Sequence, residues 1–193
     1  GFEANTVQLV EELLAHYRAH PEDVRPEVTL AFITVLNPDG LAQGRQTAGR
    51  FNGNGVDLNR NWGCEWSADA YWKKERVNPG AQPFSEPETQ AAAQFIRERQ
   101  PAAVIFYHAA ADGVFAGNCG TDHGSAALAQ VLGEAAGYSY GQPFTAYTVT
   151  GTGASWVDGL GIPSVDLELT TTRDPEFERN LRGVDAVQAW VSH

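Results

Sequence analysis

Three short apolar runs constrain the fold of this chain more than any other feature. Residues 28–36, 102–107 and 163–169 are rich in Val, Ile, Leu and Phe, and each has a Pro at or just before its start: Pro26, Pro101 and Pro163. Runs of that length, so bounded, read as strands covered on both faces. Patterns of helical period alternate with them. Val7, Val10, Leu13, Leu14 and Tyr17 repeat at helical spacing up to about His20, after Asn5 or Thr6 as the capping residue. Ser85-Glu86-Pro87-Glu88 reads as a capping box opening a helix to about Gln100, with Ala91, Ala92, Phe95 and Ile96 inward. Further helices are expected over residues 125–136, near 155–160, and after Asp174-Pro175, the last with Phe177, Leu181, Val184, Val187, Trp190 and Val191 on one face. This alternation predicts an α/β fold: a three-layer α/β/α sandwich around a largely parallel or mixed sheet, in one domain over residues 1–193.

Charge narrows the partners. Asp and Glu total 24 against 13 Lys and Arg, a formal net charge of -11. Nucleic acid needs a basic footprint, so it is not an expected partner. No apolar run reaches membrane-spanning length, and no signal peptide is visible. The chain has no Met and runs from Gly1-Phe2-Glu3 straight into a helical pattern, so it reads as the processed or truncated part of a longer protein. Cys64 and Cys119 have no CxxC or His-rich surroundings. They read either as a disulfide of an oxidising compartment or as two free thiols.

Ionisable residues interrupt the apolar runs. His108 follows the second run, and Glu168 lies within the third. A buried carboxylate without a partner is costly, so a shared site at the carboxyl edge of the sheet accounts for both. The long segment 37–84 lacks a regular period and holds the stretch from Arg50 to Trp62, too polar for a core strand. Arg50 and Arg60 sit ten residues apart across Asn-Gly-Asn-Gly. Such a pair can form a carboxylate-holding fork, or it can merely satisfy loop backbone groups. Trp62, Trp66, Tyr71 and Trp72 are expected to pack this loop. His16 and His20 read as surface residues, Asp112-Gly113 as a turn, and His123 and His193 have no evident role.

At these residues the sequence resembles the zinc carboxypeptidases of the carboxypeptidase A type. Asn37-Pro38-Asp39-Gly40, Arg50 and Gly55-Val56-Asp57-Leu58-Asn59-Arg60-Asn61-Trp62 follow that family's central pattern in order and spacing. Ser85-Glu86-Pro87-Glu88-Thr89 is similar to a helix start of its bacterial members. His108 stands where the family's later zinc histidine stands, Tyr147 matches its mobile tyrosine, and Glu168-Leu169 its catalytic glutamate. Gly1-Phe2-Glu3 matches the end of the His-x-x-Glu motif, with the histidine falling before Gly1.

The resemblance implies a Zn2+ cofactor held by Glu3, His108 and that preceding histidine, with Asp57 either orienting the histidine or capping a turn. It implies Glu168 as general base for a metal-bound water, Arg50 as oxyanion partner, Asn59 and Arg60 as the clamp on a free substrate carboxylate, and Tyr147 as a lid on a segment made flexible by Gly151 and Gly153. By spacing from Tyr147, Ala154 lies near the floor of the side-chain pocket. A small neutral residue there disfavours basic side chains, unless Asp158 or Asp166 approaches from elsewhere. Ala109 and Thr170 depart from the Ser and Arg common in the family and suggest a divergent bacterial branch. The expected activity is a metallocarboxypeptidase acting on a peptide or acyl-amino-acid substrate with a free carboxylate, extracellular or periplasmic. Alternatives are a murein peptide (γ-D-glutamyl) amidase, an acyl-amino-acid deacylase, or a metal-free domain that binds C-terminal carboxylates.

Overall fold

A computed structural model describes residues 1–192; His193 lies outside the described residues. Its elements run α1 (Ala4–Ala19), α2 (Pro38–Ala42), β1 (Ala70–Trp72), β2 (Glu75–Val77), α3 (Pro87–Arg99), β3 (Val104–Ala109), β4 (Gly113–Ala116), α4 (Ser125–Ala136), β5 (Ser139–Tyr140), α5 (Gly153–Asp158), β6 (Ser164–Leu169) and α6 (Phe177–Val191). The central sheet has the order β3-β6-β4-β5. β3 and β6 are parallel, β4 is antiparallel to β6, and β5 is parallel to β4, so the sheet is mixed. β1 and β2 form a separate antiparallel hairpin.

Helices cover both faces of this sheet, giving the expected three-layer sandwich. Strand side chains alternate between faces, and β6 shows the consequence. Val165, Leu167 and Leu169 point into a core built with Leu9 and Leu13 of α1, Leu128 and Leu132 of α4, and Val184 of α6. Ser164, Asp166 and Glu168 therefore share the opposite face. There Val104 and Phe106 of β3 pack with Ala92, Ala93 and Ile96 of α3, Trp156 and Val157 of α5, and Trp62. Burying a side chain of Leu167's size contributes about 2 kcal/mol, so one face of β6 anchors the strand and the other is free to carry chemistry.

Several expectations are corrected. Residues 28–36 form no strand and join no ladder among the described residues. Leu30 and Phe32 pack onto the first core and Leu36 onto the second, while Ile33 remains 47% exposed, so the segment is not buried throughout. Asn5 does not cap α1; it lies inside the helix, and its amide donates to Thr171 O (2.8 Å) and Asp174 O (3.0 Å). Ser85 makes no capping bond to α3 but donates to Glu86 Oε1 at 2.7 Å. Ala91 faces solvent on that helix, and Ala92 and Ala93 are buried instead.

Segment 37–84 holds more structure than its sequence suggests. Asn37 caps α2 by accepting from Gly40 N at 2.8 Å. Asp57 caps a single turn over Leu58–Arg60 by accepting from Asn59 N at 3.2 Å. Cys64 and Cys119 are joined in a disulfide that spans 55 residues of sequence and ties this segment to the loop before α4.

Candidate active site

Glu3, Arg50, Asp57, Asn59, His108, Asp166 and Glu168 converge at the carboxyl ends of β3 and β6. Sheet register sets the nearest neighbours: His108 is the partner of Glu168, which on its other side pairs with Gly113. Asp166 pairs with Phe106 on β3 and Phe115 on β4. Glu3, at the start of α1, reaches β3 through Oε2, which accepts from Ala109 N (3.2 Å) and lies 3.2 Å from His108 Nδ1. His108 Nε2 approaches Asp166 Oδ1 to 3.2 Å and the Asn59 amide to 3.4 Å. The Asp166 contact is an ion pair by distance; the ring N–H is not aligned for a hydrogen bond, and Asp166 Oδ1 is buried without one.

Arg50 is fixed from several sides. Its Nε donates to Asp57 Oδ2 at 2.8 Å, and its Nη1 lies 3.8 Å from Glu3 Oε1. Its guanidinium carbon stands 4.9 Å from the Trp72 ring centroid. Among the described residues the two terminal nitrogens make no hydrogen bond, and Nη1 lies within ion-pair range of the Glu3 carboxylate.

These contacts set the proton affinities. Burial pushes the His108 imidazole down, but Asp166 and Glu3 outweigh it and raise its pKa well above the ordinary value. Burial pushes Glu3 up, and His108, Arg50 and the Ala109 N–H together hold it below the usual carboxylate range. Glu168 has no such rescue. Burial raises it, the charges of Glu3 and Asp166 add to the rise, and His108 and Arg50 only partly oppose it, so its pKa stands at about 7. A carboxylate near neutrality can take up and release a proton at the working pH.

The zinc expectation is overturned. Among the described residues no group of three or more His, Cys, Asp or Glu side chains could hold a metal ion. Glu3 and His108 do meet, but as partners of each other at 3.2 Å. A catalytic zinc takes three protein donors. The donor set on this chain does not fit the ion, because the carboxylate and imidazole atoms that would face it face each other. Asp57 likewise serves Arg50 and the turn over Leu58–Arg60.

The remaining expected residues fall into place unevenly. Arg60 is 2% exposed, with Nε donating to Tyr71 O (3.0 Å) and Nη1 to Asn59 O (2.6 Å). Its fork therefore holds the loop rather than facing solvent, and it is not presented for a substrate carboxylate. Asn59 Oδ1 accepts from Gly153 N at 3.1 Å, which joins the loop to the start of α5. Ala154 is 1% exposed and lines no open surface. Tyr147 stacks edge-on against Phe144, which stacks in the same way on Phe115.

Gly151 and Gly153 are buried, which corrects the expectation of a flexible segment. A Cβ on Gly151 would meet Arg60 O at 2.6 Å, and one on Gly153 would meet the Phe106 ring at 2.8 Å. Glycine is needed there for close approach. Of the two acids left open for the pocket, Asp158 is fully buried and accepts from His123 N, Cys119 N and Ser125 Oγ. Asp166 alone reaches the site. The signal for it was its period-two spacing from Glu168. Concavities at Phe84–Gln90–Arg97 and at Tyr17–Val28–Phe32 share none of these residues.

Comparison with known proteins agrees with this architecture. The chain is 38% identical over 86 residues to murein peptide amidase A of Escherichia coli, an alignment covering 39% of the chain and 34% of that protein. It thus spans about a third of the length of the curated relatives it matches. The crystal structure of a murein-tripeptide amidase from Escherichia coli superposes with a TM-score of 0.63 at 27% identity, over 82% of this chain and 67% of that one. Bovine thrombin-activatable fibrinolysis inhibitor shares the fold, with a TM-score of 0.82 at 19% identity over 99% and 79% of the two chains. No helix among the described residues is long and apolar enough to cross a membrane. The profile of the zinc carboxypeptidases, a family of metalloprotease-type hydrolases, matches residues 3–182, and the chain belongs to that family.

Proposed function

We propose that this chain carries the acid–base centre of an amidase that hydrolyses an amide bond in murein peptides. The observation that carries the proposal is the 38% identity with a murein peptide amidase. The structural likeness to a murein-tripeptide amidase at 27% identity supports it. The carboxypeptidase-like structures stand at 19% and below, which speaks to the fold alone.

The chemistry assigned to the chain's own residues is limited and specific. Glu168, as carboxylate, takes a proton from the attacking water while the water oxygen bonds to the amide carbon. As carboxylic acid it returns that proton to the leaving nitrogen as the C–N bond breaks. A pKa of about 7 keeps both forms populated near neutrality. Arg50, oriented by Asp57 and Trp72, offers its terminal N–H groups to the carbonyl oxygen as charge develops there. His108, held between Glu3 and Asp166, places a positive charge beside Glu168 and stabilises its ionised form.

The test compares three substrates on one protein preparation: a γ-D-glutamyl tripeptide, an N-acylated dipeptide and an acyl-amino acid. Release of amine from the tripeptide alone is expected, and Glu168→Gln should reduce it by about 10²- to 10⁴-fold. Preferential cleavage of the acylated dipeptide would return the chain to the carboxypeptidase reading. Full activity in Glu168→Gln would remove the assigned role of that residue.

A further inference from the structure

We propose that the concavity between α3 and the loop before it is a second binding site, which takes a carboxylate carried on a compact apolar body, with Arg97 as its anion partner. The inference is independent of the preceding proposal and uses none of the residues assigned there.

The concavity encloses about 370 Å³ and is lined by Phe84, Gln90, Ala93, Gln94, Arg97 and Glu98. Sites for small molecules hold roughly 300–1,000 Å³. Helical period builds one side of it: Gln90, Gln94 and Arg97 follow one another at i, i+4 and i+7 along α3, with the buried Ala93 between them. Phe84 builds the other. Its backbone takes φ +57°, an uncommon conformation for a bulky residue, and its N–H donates to Asn61 O at 2.7 Å. Its ring meets Trp62 and Trp156 edge-on, with centroids 5.9 and 5.2 Å away. The aromatic wall is therefore fixed by the fold before any ligand arrives.

That wall holds the cation in place. The guanidinium carbon of Arg97 lies 5.6 Å from the Phe84 ring centroid and 5.0 Å from that of Trp156. Attraction to the rings leaves the N–H donors of the guanidinium plane unused. Among the described residues those N–H groups make no hydrogen bond and no ion pair. Glu98, the acid on the same rim, is engaged elsewhere: its Oε1 accepts from Gln94 Nε2 at 2.7 Å. Gln90 Nε2 donates to Phe84 O at 2.7 Å. Arg97 is thus the charged donor that the concavity leaves uncommitted, and its contact with two rings reduces the side-chain freedom that binding would cost. A carboxylate matches its planar fork. Ala93 and the Phe84 ring offer the group that carries the carboxylate an apolar surface, and a ligand ammonium would be repelled by Arg97.

The experiment is an NMR titration of the 15N-labelled protein with phenylacetate, its neutral analogue phenylacetamide, and acetate, which lacks the apolar body. The signals followed are the Trp156 indole N–H and the side-chain amides of Gln90 and Gln94. Phenylacetate is expected to shift them with a Kd at least about fivefold below that of either other compound. Arg97→Gln should abolish the advantage over phenylacetamide, and Arg97→Lys should retain part of it. Arg97 is exposed, so both variants should fold, which their spectra check directly. Equal affinity for phenylacetate and phenylacetamide in the unaltered protein overturns the proposal without recourse to any variant. So does the absence of a shift at these three residues, or a carboxylate preference that survives Arg97→Gln. Shifts confined to the neighbourhood of Arg50, His108 and Glu168 would place the carboxylate in the site described above and overturn it equally. The amide-hydrolysis assay has no bearing on these signals, so the two proposals fail separately.

Discussion

Replacing Glu168 by Gln should stabilise the protein, and the gain should appear only as pH rises. Glu168 has a folded pKa of about 7 against an ordinary value of 4.5. A carboxyl whose folded pKa is raised binds its proton more tightly in the folded state. Its contribution to stability is therefore complete below the unfolded pKa and is lost as pH rises through the folded one. Gln copies the neutral acid in size and shape and does not ionise. Integrating the two titrations, ionised Glu168 costs about 3 kcal/mol at pH 8.5 and under about 1 kcal/mol at pH 5. All other titrating groups are common to both proteins and cancel in the difference, apart from the small response of His108 to losing a neighbouring charge. For a domain of this size the alkaline difference corresponds to a rise in Tm of about 5–10 °C. The assay is thermal or urea unfolding of both proteins at several pH values between 5 and 8.5. A Tm difference that stays flat across that range, or a Gln variant less stable at pH 8.5, would show that Glu168 ionises at an ordinary pKa and refute the reasoning.

Three further predictions rest on single contacts. Arg60→Ala should cost about 3 kcal/mol in urea unfolding, since it leaves Tyr71 O and Asn59 O without their donors; a stable variant with only a raised KM would restore Arg60 as a substrate clamp. Reducing Cys64–Cys119, or replacing both cysteines by Ser, should lower stability by about 4 kcal/mol, the loop-closure value for a separation of 55 residues, read as a shift in the urea midpoint. Gly151→Ala should destabilise by about 2 kcal/mol or more, because the residue has φ +62° and its new Cβ would meet Arg60 O at 2.6 Å; an unchanged Tm would show that the junction between Arg60 and the start of α5 yields easily.

The sequence made the layers and the two ends of the sheet legible because those follow from period. Residues 102–107 and 163–169 become β3 and β6, and His108 and Glu168 arrive side by side because the two strands run parallel in register. Period two also places Asp166 beside Glu168, although an acid inside an apolar run attracts less notice than one at its end. Residues 28–36 were harder. Their composition promised cover on both faces, yet a strand is defined by what its backbone bonds to, and no local pattern names that partner. β4 and β5 are not legible in the sequence, because four and two residues are too few to show a period.

The polar stretch from Arg50 to Trp62 marks the boundary of what sequence can decide. Asn61 is fully buried, and its amide donates to Pro79 O, Gln82 O and Ser85 Oγ while its oxygen accepts from Glu86 N and Thr89 Oγ1. Arg60 is buried beside it on two carbonyls, whereas Arg50, of the same residue type and in the same loop, keeps its terminal nitrogens facing Glu3 and the site. A loop that turns through the interior leaves carbonyls that must find donors, and the side chains that answer them are the types that would otherwise hold a ligand. Which arginine serves the loop and which serves a substrate depends on the number of carbonyls left over after folding. That number is fixed by contacts between Arg60 and Tyr71 and between Asn61 and Pro79, eleven and eighteen residues apart. The stretch is therefore divided between scaffold and site, with Arg50 as its reactive member, and the Arg60→Ala experiment measures that division directly.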